Sequence, residues 1–209
     1  MPNDKKLTKK ARRIGIYAGT FNPVHAGHVA FALQALKSAK LDCLYFLPER
    51  QPRHKKGAEH FGHRVAMLER ATQPHPQFGV LELPDGNFSV QRTLPRLKKL
   101  YPNDQLVFLF GSDVVHGLGE WPYAAQLLKS SEIVVGLRSG GKTKKDVQHV
   151  INGWQQQPKK VVMFESFAPD ISSGMVREAL RKRQYVRGLL ASVARYSNRH
   201  WLYVSLAQS

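Results

Sequence analysis

The sequence is poor in the features that mark secreted or membrane proteins. It has one cysteine, Cys43, in 209 residues, so it can close no internal disulfide and build no multi-cysteine zinc site, a pattern that fits a reducing, cytoplasmic setting. No apolar run approaches the ~18 residues of a membrane span. The basic N-terminus has neither the apolar stretch nor the small-residue cleavage site of a secretory signal. Internal repeats and low-complexity segments are also absent. Acidic side chains are scarce: 15 Asp and Glu stand against 32 Lys and Arg, a formal charge of +17. A surface this cationic attracts polyanions such as phosphorylated metabolites, nucleic acid or acidic lipid, without choosing among them. Hydrophobic and charged contents of 42% and 22% exclude wholesale disorder. The length suits one domain with a sizeable core.

Met1 to Arg13 is polar and lysine-rich without periodicity, and reads as a disordered basic leader, leaving 14–209 as the folded domain. Strand-length apolar runs then alternate with amphipathic stretches. The strand candidates are Ile14–Ala18, Cys43–Leu47, Phe78–Leu83, Leu106–Phe110, Glu132–Leu137 and Val161–Phe164, several of them apolar throughout, as strands covered on both faces should be. Helical patterns cover Gly27–Lys37, His63–Ala71, Val90–Leu100, Tyr123–Leu128, Asp146–Trp154, Ser173–Arg183 and Tyr185–Tyr196, with a short segment at Trp201–Val204. The alternation predicts an α/β fold, a Rossmann-like doubly wound parallel sheet with C-terminal helices. In such sheets ligands sit beyond the carboxyl ends of the strands, at the switch point. The loops after Ala18, Leu47, Phe110 and Leu137 are therefore where chemistry is expected.

The first of these loops runs Gly19-Thr20-Phe21-Asn22-Pro23-Val24-His25-Ala26-Gly27-His28. Gly19 permits a tight exit from the strand, and Asn22-Pro23 is turn chemistry. His25 and His28 are three apart at a helix start, where they can share a face. The free N–H groups and positive end of that helix favour a phosphate, and Gly27 leaves room for its approach. Far downstream, Ile171-Ser172-Ser173-Gly174-Met175-Val176-Arg177 offers a serine cap, and an arginine one turn inside the helix suited to a phosphate.

These two segments resemble the H-x-G-H and I-S-S-x-x-x-R signatures of the adenylyltransferase superfamily, and within it the bacterial nicotinate-mononucleotide adenylyltransferases. The likeness runs from about Ile14 to Tyr203. Pro48–Lys56 resembles that family's proline- and lysine-bearing loop, Arg64–Leu68 its Arg…Met-Leu helix, and Gly111-Ser112-Asp113 with Trp121 its G-x-D…W element. Arg138 falls where the family keeps an arginine. The resemblance implies a nucleotidyltransferase domain over 14–209 that transfers AMP from Mg²⁺-bound ATP to nicotinic acid mononucleotide, giving the deamido dinucleotide and pyrophosphate without a covalent intermediate. It implies His25, His28 and Arg177 as catalytic residues. ATP would be held by Gly19, Thr20, Phe21, Gly111, Asp113, Ser172 and Ser173 together with those three. Asn22, Lys55, Lys56, Ser89, Thr93, Trp121 and Arg138 would hold the mononucleotide, with Trp121 stacking on the pyridine ring. No protein metal ligands are implied, the Mg²⁺ arriving on the phosphates. The sequence departs from the family pattern in three places: Asn22 stands for a frequent Asp, Gly174 for a commoner Thr, and Phe88-Ser89-Val90 for a Ser-Tyr-Thr segment. The last leaves nicotinate and nicotinamide mononucleotide both open as acceptors. Monomer and homodimer are also both open.

Two rival readings come from other features. Gly136–Thr143 satisfies G-x-x-x-x-G-K-[ST] after an apolar strand, yet P-loops usually open their domain, and no clear Asp follows the next strand. The stretch is more simply a Gly/Lys loop. A nucleic-acid-binding protein would need aromatics interleaved on a basic face. Tyr185, Arg187, Arg195, Tyr196, Arg199, His200 and Trp201 offer a partial version, against which Leu189, Leu190, Val193 and Tyr196 predict a helix packed on the domain. His54, His60 and His63 with Cys43 do not have zinc-ligand spacing. Cys43, Trp154 and Trp201 read as packing residues.

Overall fold

The computed structural model describes residues 10–53, 57–138, 143–166 and 171–204, with Arg138 described by its backbone alone. Among them, six strands form one parallel sheet: β1 (Arg13–Gly19), β2 (Cys43–Pro48), β3 (Phe78–Val80), β4 (Gln105–Gly111), β5 (Glu132–Arg138) and β6 (Val161–Ser166), in the order β3-β2-β1-β4-β5-β6. The helices are α1 (Ala26–Ser38), α2 (Phe61–Thr72), α3 (Val90–Leu100), α4 (Ser112–Leu118), α5 (Ala124–Ser130), α6 (Lys144–Asn152), α7 (Ser173–Arg181) and α8 (Ala191–Arg199).

The strands are apolar throughout because both faces are covered. Ile14, Ile16, Phe108, Ile133 and Val135 pack under residues of α3 to α6. Their alternating neighbours Leu44, Phe46, Val107, Leu109 and Val134 pack under α1, α2 and α8. The strand order reverses between β1 and β4, which is the switch point of a doubly wound sheet. The two central strands pair only from Arg13↔Gln105 to Ile16↔Phe108. Beyond that, Tyr17–Gly19 stays with β2 and Leu109–Gly111 with β5. The central strands thus part company at their carboxyl ends and open a crevice.

Several boundaries differ from the expectation. The leader gives way to structure before its predicted end: Arg12 donates to Asp104 through its backbone N–H (2.9 Å) and guanidinium (2.7 Å), and Arg13 opens β1 while forking Glu132 at 2.8 and 2.7 Å. Residues 1–9 lie outside the described part. The strand expected over Phe78–Leu83 ends at Val80, because Leu83 turns into the core under α3. Helix α4 is hidden in the sequence by Gly117 and Gly119, the latter admitting the Trp154 ring, whose Cδ1 would lie 2.5 Å from a Cβ there. The helix expected from Tyr185 starts only at Ala191, because Arg183 (φ +51°) and Gly188 (φ +92°) turn the chain into the left-handed region.

Candidate active site

The loop from β1 to α1 is wound tightly at the mouth of the crevice. A Cβ on Gly19 would stand 3.0 Å from the ring of Phe21, which folds back over the strand end. Phe21 has φ +48°, a strained conformation for a bulky residue. It is held by packing edge-on against Tyr17, Phe46 and His28, with ring centroids 5.4, 5.6 and 5.1 Å away. His25 is the N-cap residue of α1 and is buried. Its backbone N–H donates to Nδ1 of His28 at 3.2 Å, and the two imidazoles lie 3.8 Å apart, centroid to centroid. With Nδ1 accepting, a neutral His28 carries its proton on Nε2, where it is a donor. A Cβ on Gly27 would come within 3.0 Å of the His25 ring. The glycine is thus what lets that imidazole lie against the first turn of the helix.

Three distant parts of the chain hold this loop. From α7, Ser172 caps its own helix by accepting from the Met175 N–H (3.2 Å). Ser173 Oγ donates to the carbonyl of Pro23 (2.9 Å), and Arg177 Nη1 to the carbonyl of Asn22 (2.8 Å). From α2, Arg64 is 1% exposed, the largest fully buried side chain among the described residues. It donates to the carbonyls of Thr20 (2.7 Å), Glu49 (2.7 Å), Arg50 (3.2 Å) and Glu59 (2.9 Å), tying the loops after β1 and β2 together. Burial holds its pKa below the usual arginine value, and the carbonyl dipoles replace the water it lost. From the end of the chain, Tyr203 OH donates to Asn22 Oδ1 (2.9 Å), which also accepts from the Glu59 N–H (3.1 Å). The Glu59 carboxylate in turn accepts from the Tyr203 N–H (3.3 Å).

A second region lies beyond β2. Leu47, Pro48, Glu49, Leu83, Asp85, Asn87, Phe88 and Thr93 line a shallow, open-mouthed cavity. Its polar rim is already ordered. The Glu49 carboxylate accepts from the Phe88 N–H (3.1 Å), Thr93 Oγ1 accepts from the Ser89 N–H (3.1 Å) and donates to Asp85 (3.3 Å), and Arg96 pairs with Asp85 at 3.2 Å. Trp121 stands beside Phe88 and Phe110, with centroids 6.2 and 5.9 Å away.

The predicted residues therefore fall into two groups. Gly19, Thr20, Phe21, Asn22, His25, His28, Ser172, Ser173 and Arg177 come together around the first loop. Ser89, Thr93 and Trp121 belong to the surroundings of the cavity. Gly111 ends β4 and Asp113 is in the first turn of α4, across the crevice from Gly19. Lys55 and Lys56 lie outside the described residues, as does the Arg138 side chain. Sequence reasoning takes Arg64 only as a landmark and gives Glu49, Glu59 and Tyr203 no role. The signal for Arg64 is its place four residues before Leu68, on the stripe that α2 buries.

The rival features resolve differently. Gly136 is inside β5, paired with Gly111 and Phe164, and a Cβ there would strike Phe31. Thr143 caps α6, exchanging hydrogen bonds with Asp146. The first and last residues of the P-loop match thus have structural work; residues 139–142 lie outside the described part. Cys43 is half-buried at the amino end of β2, far from the crevice, and burial raises its pKa, which suits packing and not nucleophilic chemistry. His60 accepts from the Gly62 N–H at the start of α2 (3.3 Å) and His63 Nδ1 bonds Tyr196 OH (2.9 Å), while His54 lies outside the described residues. Trp201, expected to pack, is instead 69% exposed.

Together the reversed sheet and the helix-capping histidine turn at its switch point define a Rossmann-like nucleotide-binding α/β protein. Residues 16–179 match the cytidylyltransferase-like family. The chain is 34% identical over 181 residues to a probable nicotinate-nucleotide adenylyltransferase of Carboxydothermus hydrogenoformans, covering 82% of this chain and 87% of the relative. It is 32% identical over 201 residues to the nicotinate-nucleotide adenylyltransferase of Bacillus subtilis, covering 93% and 100%. The fold is shared with the nicotinic acid mononucleotide adenylyltransferase of Plasmodium falciparum in its complex with NaAD (TM-score 0.76, 19% identity, 92% of this chain and 97% of that one). The chain belongs to the cytidylyltransferase-like family and, within it, to the nicotinate-nucleotide adenylyltransferases.

Proposed function

We propose that this protein transfers AMP from Mg²⁺-bound ATP to nicotinic acid mononucleotide, releasing pyrophosphate and forming the deamido dinucleotide of NAD biosynthesis. The observation that supports this most directly is the docking of α7 on the histidine loop. Two elements some 150 residues apart in sequence, each rich in donors suited to phosphate, meet through Ser173 and Arg177 at 2.9 and 2.8 Å. They frame one anion site at the N-termini of α1 and α7.

The chemistry asked of such a site is positioning and charge neutralisation. A phosphate oxygen of the mononucleotide attacks the α-phosphorus in line, and the bond to the bridging oxygen breaks to release pyrophosphate. His25 and His28 stabilise the charge that builds on the α-phosphate, with His28 offering Nε2–H. Ser172, Ser173 and Arg177 hold the outer phosphates. The guanidinium of Arg177 has five N–H groups, and its bond to Asn22 uses one. Gly19, Thr20 and Phe21 line the nucleotide through their backbone, with Gly111 and Asp113 on the opposite bank. Imidazole, guanidinium, hydroxyl and N–H are donors for phosphate oxygens and poor ligands for Mg²⁺, so the cation would arrive on the ATP phosphates, with the Asp113 carboxylate the one oxygen ligand named at the site. Among the described residues no group of three or more His, Cys, Asp or Glu stands together as a metal cage.

The cavity beyond β2 suits the acceptor. A pyridine mononucleotide carries a permanent positive charge on its ring nitrogen, which favours aromatic faces and carboxylates. Phe88, with Trp121 beside it, and Glu49 supply both, Asp85 being already paired with Arg96. Ser89 and Thr93 order the rim, and Asn22, Lys55, Lys56 and Arg138 are assigned to the mononucleotide on the family resemblance. Nicotinamide mononucleotide, with the same ring charge and an amide in place of the carboxylate, is the second acceptor, left open by the Phe88-Ser89-Val90 segment. No helix among the described residues is long and apolar enough to cross a membrane, and the reaction belongs in the cytoplasm.

Purified protein with Mg-ATP and each mononucleotide in turn tests the assignment through pyrophosphate release. Turnover with nicotinic acid mononucleotide supports the first reading. Turnover with the nicotinamide form alone supports the second, and release with neither overturns both.

A further inference from the structure

The active site draws its cations inward onto carbonyls, but the far end of α7 turns another set outward. Between Ala179 and Val204 the chain has six Lys or Arg and no Asp or Glu. Arg181, Lys182, Arg183, Arg187, Arg195 and Arg199 are all exposed. The nearest carboxylate in sequence, Glu178, is already bonded to Arg181 and Lys182 and sits below the usual Glu pKa as a result, and the Glu59 carboxylate is bonded to the Tyr203 N–H. Within this basic surface stand the two most exposed aromatics among the described residues, Tyr185 at 83% and Trp201 at 69%. Arg183 lies over the Trp201 ring, 6.0 Å from its centroid. Tyr196, by contrast, packs against the core, bonded to His63 and covered by Arg70 at 4.3 Å. The apolar residues of α8 are therefore accounted for by packing, while Tyr185 and Trp201 are left with open faces.

We propose that the turn between α7 and α8, with residues 200–202, binds single-stranded nucleic acid, bases stacking on Trp201 and Tyr185 and phosphates following the flanking cations. Open aromatic faces interleaved with cations are the platform that unpaired strands use, and a duplex, its bases already stacked, has little for them to engage. A second copy of this chain is a poor occupant, because each copy has a net charge of +17. The turn borders the proposed phosphate site at one point, where the Gly188 carbonyl accepts from the Ala26 N–H (2.9 Å), whereas Arg181 lies at the far end of α7 from Ser172, nine residues and about 13 Å away.

The test is fluorescence anisotropy with a labelled oligouridylate 12-mer, a 12-base-pair duplex and phosphatidylglycerol vesicles as competitor, across a salt series. The expected result is single-strand binding at least tenfold tighter than duplex binding. Trp201→Ala and Tyr185→Ala should each weaken it about tenfold with little change in salt slope. The Lys182→Ala/Arg183→Ala pair should lower the salt slope by about 0.7 for each phosphate that the variant no longer neutralises. All of these variants should keep the adenylyl transfer rate, so failure here is distinguishable from failure of the enzymatic assignment. Equal affinity for duplex, unchanged binding in both aromatic variants, or uptake by vesicles in place of the oligonucleotide would overturn the proposal.

Discussion

The loop after β1 and the region beyond β2 are built on opposite electrostatic plans. On the β1 side, donors predominate: Arg177, Ser173 and Tyr203 hold the carbonyls of a single loop and its Asn22 side chain, and Arg64 ties its Thr20 carbonyl to those after β2. On the β2 side, acceptors predominate: Glu49 and Asp85 sit on a cavity wall with Phe88 and Thr93. Under the proposed function, the remaining donors of the first meet the ATP phosphates, and the second offers Phe88 and Glu49 to the acceptor, Asp85 being already paired with Arg96. The contrast also separates two ways of damaging the enzyme, since losses on the β1 side should fall on kcat and losses on the β2 side on the KM of the mononucleotide.

The largest effect should follow from emptying the anion side. Replacing both His25 and His28 by Ala should lower kcat/KM by roughly 10² to 10³-fold, about 2.7–4 kcal/mol of transition-state stabilisation. The urea midpoint should fall as well, because the buried His25 ring and the His28 acceptor are lost from the loop, so turnover is compared where the variant is fully folded. Near-parental turnover would remove the histidines from the mechanism. Arg64 comes next. Arg64→Ala leaves several buried carbonyls without a donor and opens a cavity, so unfolding free energy should drop by about 3 kcal/mol. Arg64→Lys keeps the charge but loses the fork, and should fold with kcat lowered about tenfold and the mononucleotide KM unchanged. If kcat survives in Arg64→Lys, the residue is a fastener only. On the acceptor side, Thr93→Val removes the hydroxyl that orders Ser89 and Asp85. It should raise the mononucleotide KM severalfold, about 1 kcal/mol, and leave the ATP KM alone. A matching change in the ATP KM would blur the division between the two sides.

How much of this can be read from the chain differs between the sides in the same way. The β1 side is legible because its parts are local and chemically rare: a glycine exit, a paired imidazole turn and a serine-arginine helix start each make sense within ten residues. The sheet is equally legible, since continuous apolar strands alternate with amphipathic helices. The knot that holds the loop is not, because Arg64, Glu59 and Tyr203 act through backbone carbonyls and one carboxamide, and such partners leave no pattern in sequence. Gly27 reads in sequence as space for phosphate, whereas it first makes room for the His25 ring. Helix α4 escapes because Gly117 and Gly119 mark turns more often than helix ends packed on a tryptophan. Trp201 misleads for a different reason: the apolar spacing of α8 runs on past its last buried position, and only the chain turn after Arg199 exposes the ring.

The smallest effect tests the longest connection, from the end of the described chain to the loop of the first strand. Tyr203→Phe keeps the ring and its packing but deletes the donor to Asn22 Oδ1. It should cost about 1 kcal/mol of stability and lower kcat severalfold. A pH series adds a readout that ring packing alone would not move. Burial raises the Tyr203 pKa above its ordinary value, and the nearby Glu59 carboxylate pushes in the same direction. An acid held neutral by folding contributes fully below its unfolded pKa, ~10 for tyrosine. Above that pH the unfolded chain gives up the proton while the folded chain keeps it, and the contribution fades. The stability gap between parent and Tyr203→Phe should therefore be constant from pH 7 to 9 and narrow above pH 10. Paired urea midpoints at pH 8 and 10.5 measure it. A gap that does not narrow would mean that the phenol is not held as a neutral donor, and that the chain end steadies the loop by packing alone.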